Sequence, residues 1–140
     1  MGVFDAPPLN DDGGCFACGR NNPVGLGMRV GFEDGAAVCR IVLPAHYQGW
    51  PGIAHGGVVA TLLDEIMAHA LIKSGSHGVT TGMEIAYKAP LMLEREVVVL
   101  GRVVELKSRL AVTHGEVRQA DGDVLLAQAT ARFLLRKGGQ

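Results

Sequence analysis

Two glycines and an aspartate are the residues of this chain whose types and spacing could do chemistry. Gly56 and Gly57 stand where an apolar helical pattern begins. They would leave the first backbone N–H groups of the helix free to hydrogen-bond a carbonyl oxygen, at the positive end of the helix dipole. Asp64 lies further along this pattern, where a carboxylate is costly unless it has partners or a task. The combination favours attack on an acyl carbonyl, by water with Asp64 as general base or by Asp64 as nucleophile.

The helix that must carry these groups is the only long helical pattern in the sequence. Its apolar stripe is centred between Leu63 and Ile66, with Asp64 off one side and Glu65 off the other. The eight-residue step from Gly56 to Asp64 spans about 12 Å, which is too far for both to reach one carbonyl group. We therefore expect the oxyanion donors of one chain to face the carboxylate of a second chain. The stripe consists of Val58, Val59, Leu62, Leu63, Ile66, Met67, Ala70 and Leu71.

Strand patterns lie on both sides of the helix. Two precede it and are joined by a turn at residues 33–35, and Ser74 with Gly75 should end the helix. Because the connections between strands are short, the sheet should be mainly antiparallel. One helix buried against one antiparallel sheet is an α+β architecture, and a sheet that curves round the helix is its most economical form. The predicted strands cover residues 28–32, 37–43, 79–87, 96–106, 110–118 and 124–135.

Length, composition and charge exclude several classes of protein. The chain has 140 residues, of which 48% are hydrophobic and 19% charged, and this fits one globular domain with a substantial core. Its formal net charge of -1 leaves no basic excess for nucleic acid. It has neither the run of about 20 apolar residues that spans a bilayer nor a signal-peptide pattern. We expect a cytoplasmic protein without nucleic-acid or membrane partners, with one domain at residues 15–136 between tails at residues 1–14 and 137–140.

The cysteines predict no disulfide framework, because their number is odd and no export signal precedes them. Cys15 and Cys18 form a C-x-x-C pair, and Cys39 stands apart. A structural zinc site would normally need a second pair, and Cys39 or a histidine could complete a set only through the fold or a second subunit. The residues favour two ordinary reduced thiols over zinc binding or redox chemistry, so we expect no metal site.

A histidine, two glycines and an acid form a motif at the start of the helix, namely His55, Gly56 and Gly57 followed by Asp64. Residues 15–26 read C-F-A-C-G-R-N-N-P-V-G-L, residues 50–54 read W-P-G-I-A, and residues 79–90 read V-T-T-G-M-E-I-A-Y-K-A-P. Together these segments resemble the hotdog-fold acyl-CoA thioesterases of the PaaI type. The first resembles a subgroup with an N-terminal C-F-x-C-G-x-x-N-P-x-G-L segment. The resemblance covers roughly residues 15–135.

The resemblance implies a hotdog fold, in which one curved antiparallel sheet wraps a long central helix. It further implies homodimers or tetramers of dimers that bind acyl-CoA at the dimer interface. Asp64 would be the base or nucleophile, the N–H of Gly56 would polarise the thioester carbonyl, and a hydroxyl of Thr80 or Thr81 would place water or the acid. Coenzyme A enters as part of the substrate, and no separate cofactor is implied. The other candidates for substrate binding are His55, Gly57, Gln48, Trp50 and Met83.

One position departs from the family pattern. Many relatives have Asn or Gln six residues before the histidine, where it assists the carbonyl, and here that residue is Gly49. Gln48 could replace the missing amide if the loop shifts by one residue. For His55 itself we expect a buried side chain that caps or braces the loop rather than one that transfers protons.

Three functions are compatible with these residues. The first is hydrolysis of an acyl-CoA to the free acid and coenzyme A. The second is binding of an acyl group or acyl-CoA with little catalysis, which the missing amide at Gly49 favours. The third is dehydration of a hydroxyacyl thioester, which ranks last because the His-Gly-Gly junction lacks the usual dehydratase arrangement of histidine and acid.

Overall fold

The computed structural model describes residues 11–136, which form six strands and one long helix. Residues 1–10 and 137–140, which belong to the predicted tails, lie outside the described residues. No helix within residues 11–136 is long and apolar enough to cross a membrane. The elements are β1 (Gly31–Glu33), β2 (Ala36–Val42), a short 3-10 helix (Ala45–Tyr47), α1 (Gly56–Lys73), β3 (Gly78–Tyr87), β4 (Glu96–Leu106), β5 (Leu110–Gln119) and β6 (Val124–Leu135).

All six strands belong to one antiparallel sheet in the order β1-β2-β4-β5-β6-β3. The helix α1 connects β2 to β3, which lie far apart in this order, and it packs across β4 and β5 between them. Strand β3 forms one edge of the sheet, with β6 as its only partner among the described strands. The predicted architecture, a curved antiparallel sheet around a central helix, is confirmed.

The core lies between the helix and the sheet. Four helix residues near the middle of the predicted stripe, Leu62, Leu63, Ile66 and Met67, have no exposed surface. At about 1.5–3 kcal/mol for each buried side chain, their burial outweighs the few tenths of a kcal/mol by which intrinsic helix propensities differ. The sheet therefore determines how the helix is rotated about its axis.

The first strand is shorter than predicted and begins three residues later. The backbone N–H groups of Leu26 and Met28 donate to the carbonyls of Phe16 and Ala17, at 2.9 Å each. This segment therefore pairs with the cysteine-containing loop, and β1 begins only at Gly31. The turn after it is a two-residue hairpin turn, because both of its central residues, Asp34 and Gly35, have positive φ angles, of 50° and 77°.

Glycines allow the helix to approach the sheet closely. A Cβ atom on Gly101 of β4 would lie 2.7 Å from the carbonyl oxygen of Ile66 in α1. A Cβ atom on Gly115 of β5 would lie 3.2 Å from side-chain atoms of Leu63 and Met67. At Gly101 the obstacle is helix backbone, which cannot turn aside as a side chain can.

Replacing Gly101 with alanine should therefore destabilise the fold. We expect Gly101→Ala to lower the free energy of unfolding by about 1–3 kcal/mol, because the helix must move away from β4. Urea denaturation at matched protein concentration measures the change. Gly31→Ala is the control, since a Cβ there meets nothing within 4 Å, and it should stay within about 0.5 kcal/mol of the parent. Equal stability of the two variants would contradict this account of the contact.

Candidate active site

Asp64 of α1 and Thr80 of β3 are joined by a short hydrogen bond. The hydroxyl of Thr80 donates to Oδ1 of Asp64 at 2.6 Å. Asp64 is half-buried and Thr80 is exposed, so the pair lies at the rim of the helix–sheet interface. Within residues 11–136, no donor hydrogen-bonds to Oδ2 of Asp64, which leaves this oxygen available to a water molecule or an acyl carbon.

A β-bulge in β3 brings Thr80 to the helix. Thr80 pairs with Phe133 of β6 and Gly82 pairs with Arg132, so Thr81 between them has no partner in the register. Directly opposed residues share a face of the sheet, so Thr80 lies on the same face as the buried Phe133. The extra residue also leaves Met83 on this face, where it packs against the core. Of the two candidate hydroxyls, Thr80 therefore contacts the acid, and Thr81 is exposed on the bulge.

The N-terminus of α1 offers one free backbone donor. His55 is the N-cap residue, and its Nδ1 accepts a hydrogen bond from the N–H of Gly57 at 2.9 Å. The expectation that both glycine N–H groups are unobstructed is therefore wrong for Gly57. Gly56 is the first helical residue, so its N–H has no acceptor within the helix, and the residue is exposed. The hydroxyl of Tyr87 donates to the Gly56 carbonyl at 2.8 Å and ties this end of the helix to β3.

The histidine before the glycines caps the helix but is not buried. Its side chain faces solvent in this chain, contrary to expectation, because the N-terminus of α1 lies at the edge of the sheet. Since Nδ1 accepts a hydrogen bond, the neutral ring carries its proton on Nε2. Through this hydrogen bond the His55 ring stabilises the helix N-terminus.

The loop before the helix is a narrow hairpin that leaves little room for a side chain at residue 49. Gly49 donates its N–H to the carbonyl of Ile53 at 2.8 Å, and a Cβ atom on Gly49 would lie 3.1 Å from Cα of His55. Close packing thus gives a physical reason for glycine at the position where the family resemblance implies an amide. The neighbouring Gln48 and Trp50 are exposed, Trp50 to 77% of its surface, so neither lines an enclosed pocket within one chain.

A second polar cluster lies on the other flank of the helix. One oxygen of Glu65, Oε2, lies 2.9 Å from Nε2 of His69, and the other, Oε1, accepts from the Cys15 thiol at 3.7 Å. Burial and the adjacent Glu65 raise the pKa of the Cys18 thiol. Burial alone would raise the pKa of Glu65, but the hydrogen bonds from His69 and Cys18 outweigh it and hold the pKa below its usual value. Sequence reasoning missed this cluster, although the four-residue spacing of Glu65 and His69 places both on one helix face.

A groove of mixed polar and apolar lining on the outer face of the sheet is remote from these residues. It has a volume of about 400 Å³. His114, which lines it, stands between Thr113 and Gly115, whose buried positions face the helix, so the groove opens on the side away from α1. The catalytic candidates and this groove therefore belong to different surfaces. Its lining consists of Glu84, Ile85, Ala86, His114, Gln128, Ala129 and Thr130.

Comparison with known proteins identifies the family to which this fold and these residues belong. Residues 51–126, more than half of the chain, match the family described as the thioesterase superfamily. The chain belongs to this superfamily. The match includes the helix N-terminus and both members of the Asp64–Thr80 pair.

Individual relatives agree with this assignment. Human acyl-coenzyme A thioesterase 13 is 30% identical over 101 residues, which are 71% of this chain and 72% of that protein. Rat acyl-coenzyme A thioesterase THEM4 is 34% identical over 114 residues, which are 79% of this chain but 49% of that protein. A crystal structure of a thioesterase superfamily protein, 28% identical, superposes with a TM-score of 0.74 over 79% of this chain and 57% of that one. This chain spans only 38–51% of the length of the THEM4 proteins from mouse, frog and rat.

The capping role of His55 can be separated from any other role by two substitutions. His55→Ala should lower the free energy of unfolding by about 1 kcal/mol, because the N–H of Gly57 loses its acceptor. His55→Asn should retain most of the stability, since asparagine is among the best N-cap residues. Urea denaturation followed by circular dichroism measures both. An equal loss in the two variants would mean that His55 stabilises the helix by other contacts.

Proposed function

We propose that this protein is an acyl-CoA thioesterase whose active site forms between two copies of the chain. The observation that carries the proposal is the Asp64–Thr80 hydrogen bond, on the same helix as the free N–H of Gly56, in a thioesterase superfamily fold. A carboxylate held by a hydroxyl and a backbone donor at a helix N-terminus are the groups that acyl transfer to water requires. The human and rat relatives, both named acyl-coenzyme A thioesterases, support the substrate class.

In the proposed reaction, Asp64 acts as the general base. It takes a proton from water as the water oxygen attacks the thioester carbonyl, and the resulting oxyanion accepts a hydrogen bond from the N–H of Gly56. When the intermediate collapses, the carbon–sulfur bond breaks, and the leaving thiolate takes the proton back from Asp64. Thr80 holds Oδ1 and so directs Oδ2 at the water. Water and the substrate supply everything this reaction consumes, so no separate cofactor is needed.

Nucleophilic attack by Asp64 is the alternative route to the same products. The carboxylate would then form a mixed anhydride with the acyl group, which water hydrolyses in a second step. The two routes differ in where solvent oxygen enters when water attacks the anhydride at its aspartyl carbon. A single turnover in ¹⁸O-water leaves label in Asp64 only if water attacks the anhydride at the aspartyl carbon, so labelled Asp64 would identify the nucleophilic route.

Distance and exposure support the proposal that the site needs a second chain. Gly56 and Asp64 are separated by about 12 Å along α1. Both Gly56 and Thr80 are exposed in the single chain, and so is Tyr87, at 55% of its surface. The outer edge of β3 has no partner among the described strands, and free sheet edges tend to be covered. A second copy that pairs along β3 would cover this edge and bring its own Gly56 towards Asp64. Tetramers would arise if two such dimers associate.

The remaining candidates are proposed to contact the substrate from the rim of this interface. Met83 faces α1 from β3 and is positioned to border the acyl group. Trp50 and Gln48 project from the loop before the helix, where a partner or a ligand would cover them. Gly57 and His55 contribute by shaping the helix N-terminus, and Thr81 flanks Thr80 on the bulge.

Acyl-CoA binding without turnover is the second candidate, and Gly49 favours it. Gly49, which lies close to His55, leaves the site without the amide that the family resemblance implies for assisting the carbonyl. A binding protein would retain coenzyme A thioesters without releasing thiol. The dehydratase function finds less support, because Nδ1 of His55 is engaged with the N–H of Gly57.

The first test of the proposed chemistry removes the acid and its partner. Asp64→Asn should lower thiol release from a panel of acyl-CoAs by about 10²–10⁴-fold, the usual contribution of a general base. Thr80→Val should lower it about 10–100-fold, since a hydrogen bond to a carboxylate contributes about 1.5–3 kcal/mol. Thr130→Val, on the outer face of β6, is the matched control and should leave the rate unchanged. A parent protein that binds acyl-CoA but releases no thiol would instead establish the binding function.

The second test removes a single N–H group. Gly56→Pro deletes the proposed oxyanion donor but suits the first helical position, and His55, with φ -59° and ψ 135°, already has the conformation that precedes proline. We expect a loss of about 10²–10³-fold in kcat. Gly56→Ala keeps the N–H, and its Cβ would make only ordinary contact with Tyr87, so it should retain most activity. Equal losses in both variants would contradict the assigned role.

Mixing two inactive variants tests whether the site needs two chains. A dimer of one Asp64→Ala chain and one Gly56→Pro chain has one intact site if each site takes Gly56 from one chain and Asp64 from the other. A statistical mixture should then recover about a quarter of the parent activity. If mass spectrometry shows mixed dimers but no activity returns, each site lies within a single chain.

A further inference from the structure

The cluster on the Glu65 flank of α1 contains four side chains that are typical metal ligands. The sulfur atoms of Cys15 and Cys18 and a carboxylate oxygen of Glu65 all lie within 4.8 Å of one another. His69 lies one helical turn beyond Glu65 and contacts its other oxygen at 2.9 Å. None of these four residues takes part in the proposed hydrolysis, which uses the opposite flank of the helix.

The loop that carries the two cysteines is held in place by its backbone. Gly19 donates its N–H to the carbonyl of Cys15 at 2.8 Å, and this bond closes the turn around the two thiols. A Cβ atom on Gly19 would lie 2.4 Å from the nitrogen of Cys15, so the turn requires glycine. The bonds from Leu26 and Met28 to the residues between the cysteines fix the turn against the core. These backbone bonds therefore hold both cysteines close to Glu65.

Within residues 11–136, His69 is the basic side chain that contacts the carboxylate of this cluster. The Glu65 side chain is only 16% exposed, and within the described part of the chain it forms no ion pair with lysine or arginine. Its partners are the His69 ring and the two thiols, whose hydrogen bonds offset the cost of burying a carboxylate. A divalent ion would place its charge between this carboxylate and the two sulfur atoms and would convert both thiols to thiolates.

The distances suit a small thiophilic ion. Zinc–sulfur bonds of about 2.3 Å place the ligands of a tetrahedral site about 3.8 Å apart. The observed upper limit of 4.8 Å exceeds this by about one ångström, which side-chain rotations can close. Two sulfur donors select zinc over magnesium or calcium, which prefer oxygen. All three side chains are partly exposed, so an ion and one water molecule can reach them.

We propose that Cys15, Cys18 and Glu65 bind one zinc ion, with His69 holding the second carboxylate oxygen of Glu65. Two thiol protons leave when the ion binds, and a water molecule fills the fourth position. The ion joins the N-terminal loop to α1 at the residue next to Asp64. This proposal replaces the sequence-based expectation of two ordinary thiols. The sequence contains no second cysteine pair, but the fold brings Glu65 of α1 to the two thiols as a third ligand. It does not depend on the proposed thioesterase activity.

The test uses the reduced 140-residue chain and cobalt as a spectroscopic probe for zinc. We expect one Co²⁺ per chain, with a sulfur-to-cobalt charge-transfer band and the visible absorption of a tetrahedral site. Zinc should displace the cobalt, and it should raise the melting temperature of the parent protein. Competition with a chromophoric chelator then gives the zinc affinity of each variant.

Three variants make the test specific. Cys18→Ala and Glu65→Gln should each weaken zinc binding by at least about 100-fold, and Cys18→Ala should also reduce the charge-transfer band. Cys39→Ala removes a buried thiol of β2 outside the cluster and should bind zinc as the parent does. Circular dichroism verifies that each variant is folded, and the isosteric Glu65→Gln keeps the test valid should Cys18→Ala fail to fold.

Two results would overturn the proposal. One is a reduced parent protein that gives no charge-transfer band and no zinc-dependent rise in melting temperature. If the same protein loses two mass units on air oxidation, and Cys18→Ala does not, the pair is a redox dithiol instead. The other is zinc binding that is unchanged in a folded Glu65→Gln variant.

Discussion

The rotation of α1 about its own axis determines where the chemically active side chains of this protein lie. Burial of Leu62, Leu63, Ile66 and Met67 against β4 and β5 fixes that rotation, because any other angle would expose part of the stripe to water. Consecutive helical residues differ by about 100°, so the two acids that adjoin one another, Asp64 and Glu65, emerge on opposite flanks. One flank meets the edge strand, and the other meets the cysteine loop. A single packing interaction thereby separates two polar sites on adjacent residues.

A β-bulge in β3 places Thr80 on the side of the sheet that faces the helix. A regular β3 that kept Met83 and Ile85 towards the helix would direct Thr80 away from it, because alternate residues of a strand face opposite sides. The bulge at Thr81 restores Thr80 to the helix side and allows the 2.6 Å bond to Asp64. Because β3 lies at the edge of the sheet, only one neighbouring strand must adapt to the bulge, and the energetic cost of the bulge is therefore small.

Periodicity and strong local signals make most of the fold predictable from the sequence. Apolar spacing locates α1 and all six strands, and Gly75 ends the helix with a φ of 97°, as its place after Ser74 indicates. Features that depend on contacts between distant segments are not predictable in this way. The predicted start of β1 is wrong because residues 26–28 pair with the cysteine loop, and the exposure of His55 results from where the sheet ends.

The residues of the candidate site likewise differ in whether the sequence alone can identify them. Asp64 and Gly56 can be identified from their residue types and spacing, whereas the choice of Thr80 over Thr81 depends on a bulge that no local pattern records. The Glu65 cluster joins residues fifty positions apart in the chain, so its C-x-x-C half looks incomplete when read alone.

The packing of α1 also determines where the chain can change length during evolution. An insertion of one residue between Gly56 and Leu63 would turn the helix N-terminus by about 100° relative to the buried stripe, and would carry His55 away from its place beside β3. An insertion between Glu65 and His69 would separate the two side chains that share a helix face. The hairpin tips at Asp34–Gly35 and Asp121–Gly122 lie on the surface and impose no such restriction. Homologous sequences should therefore vary in length at these tips and keep a constant spacing through α1.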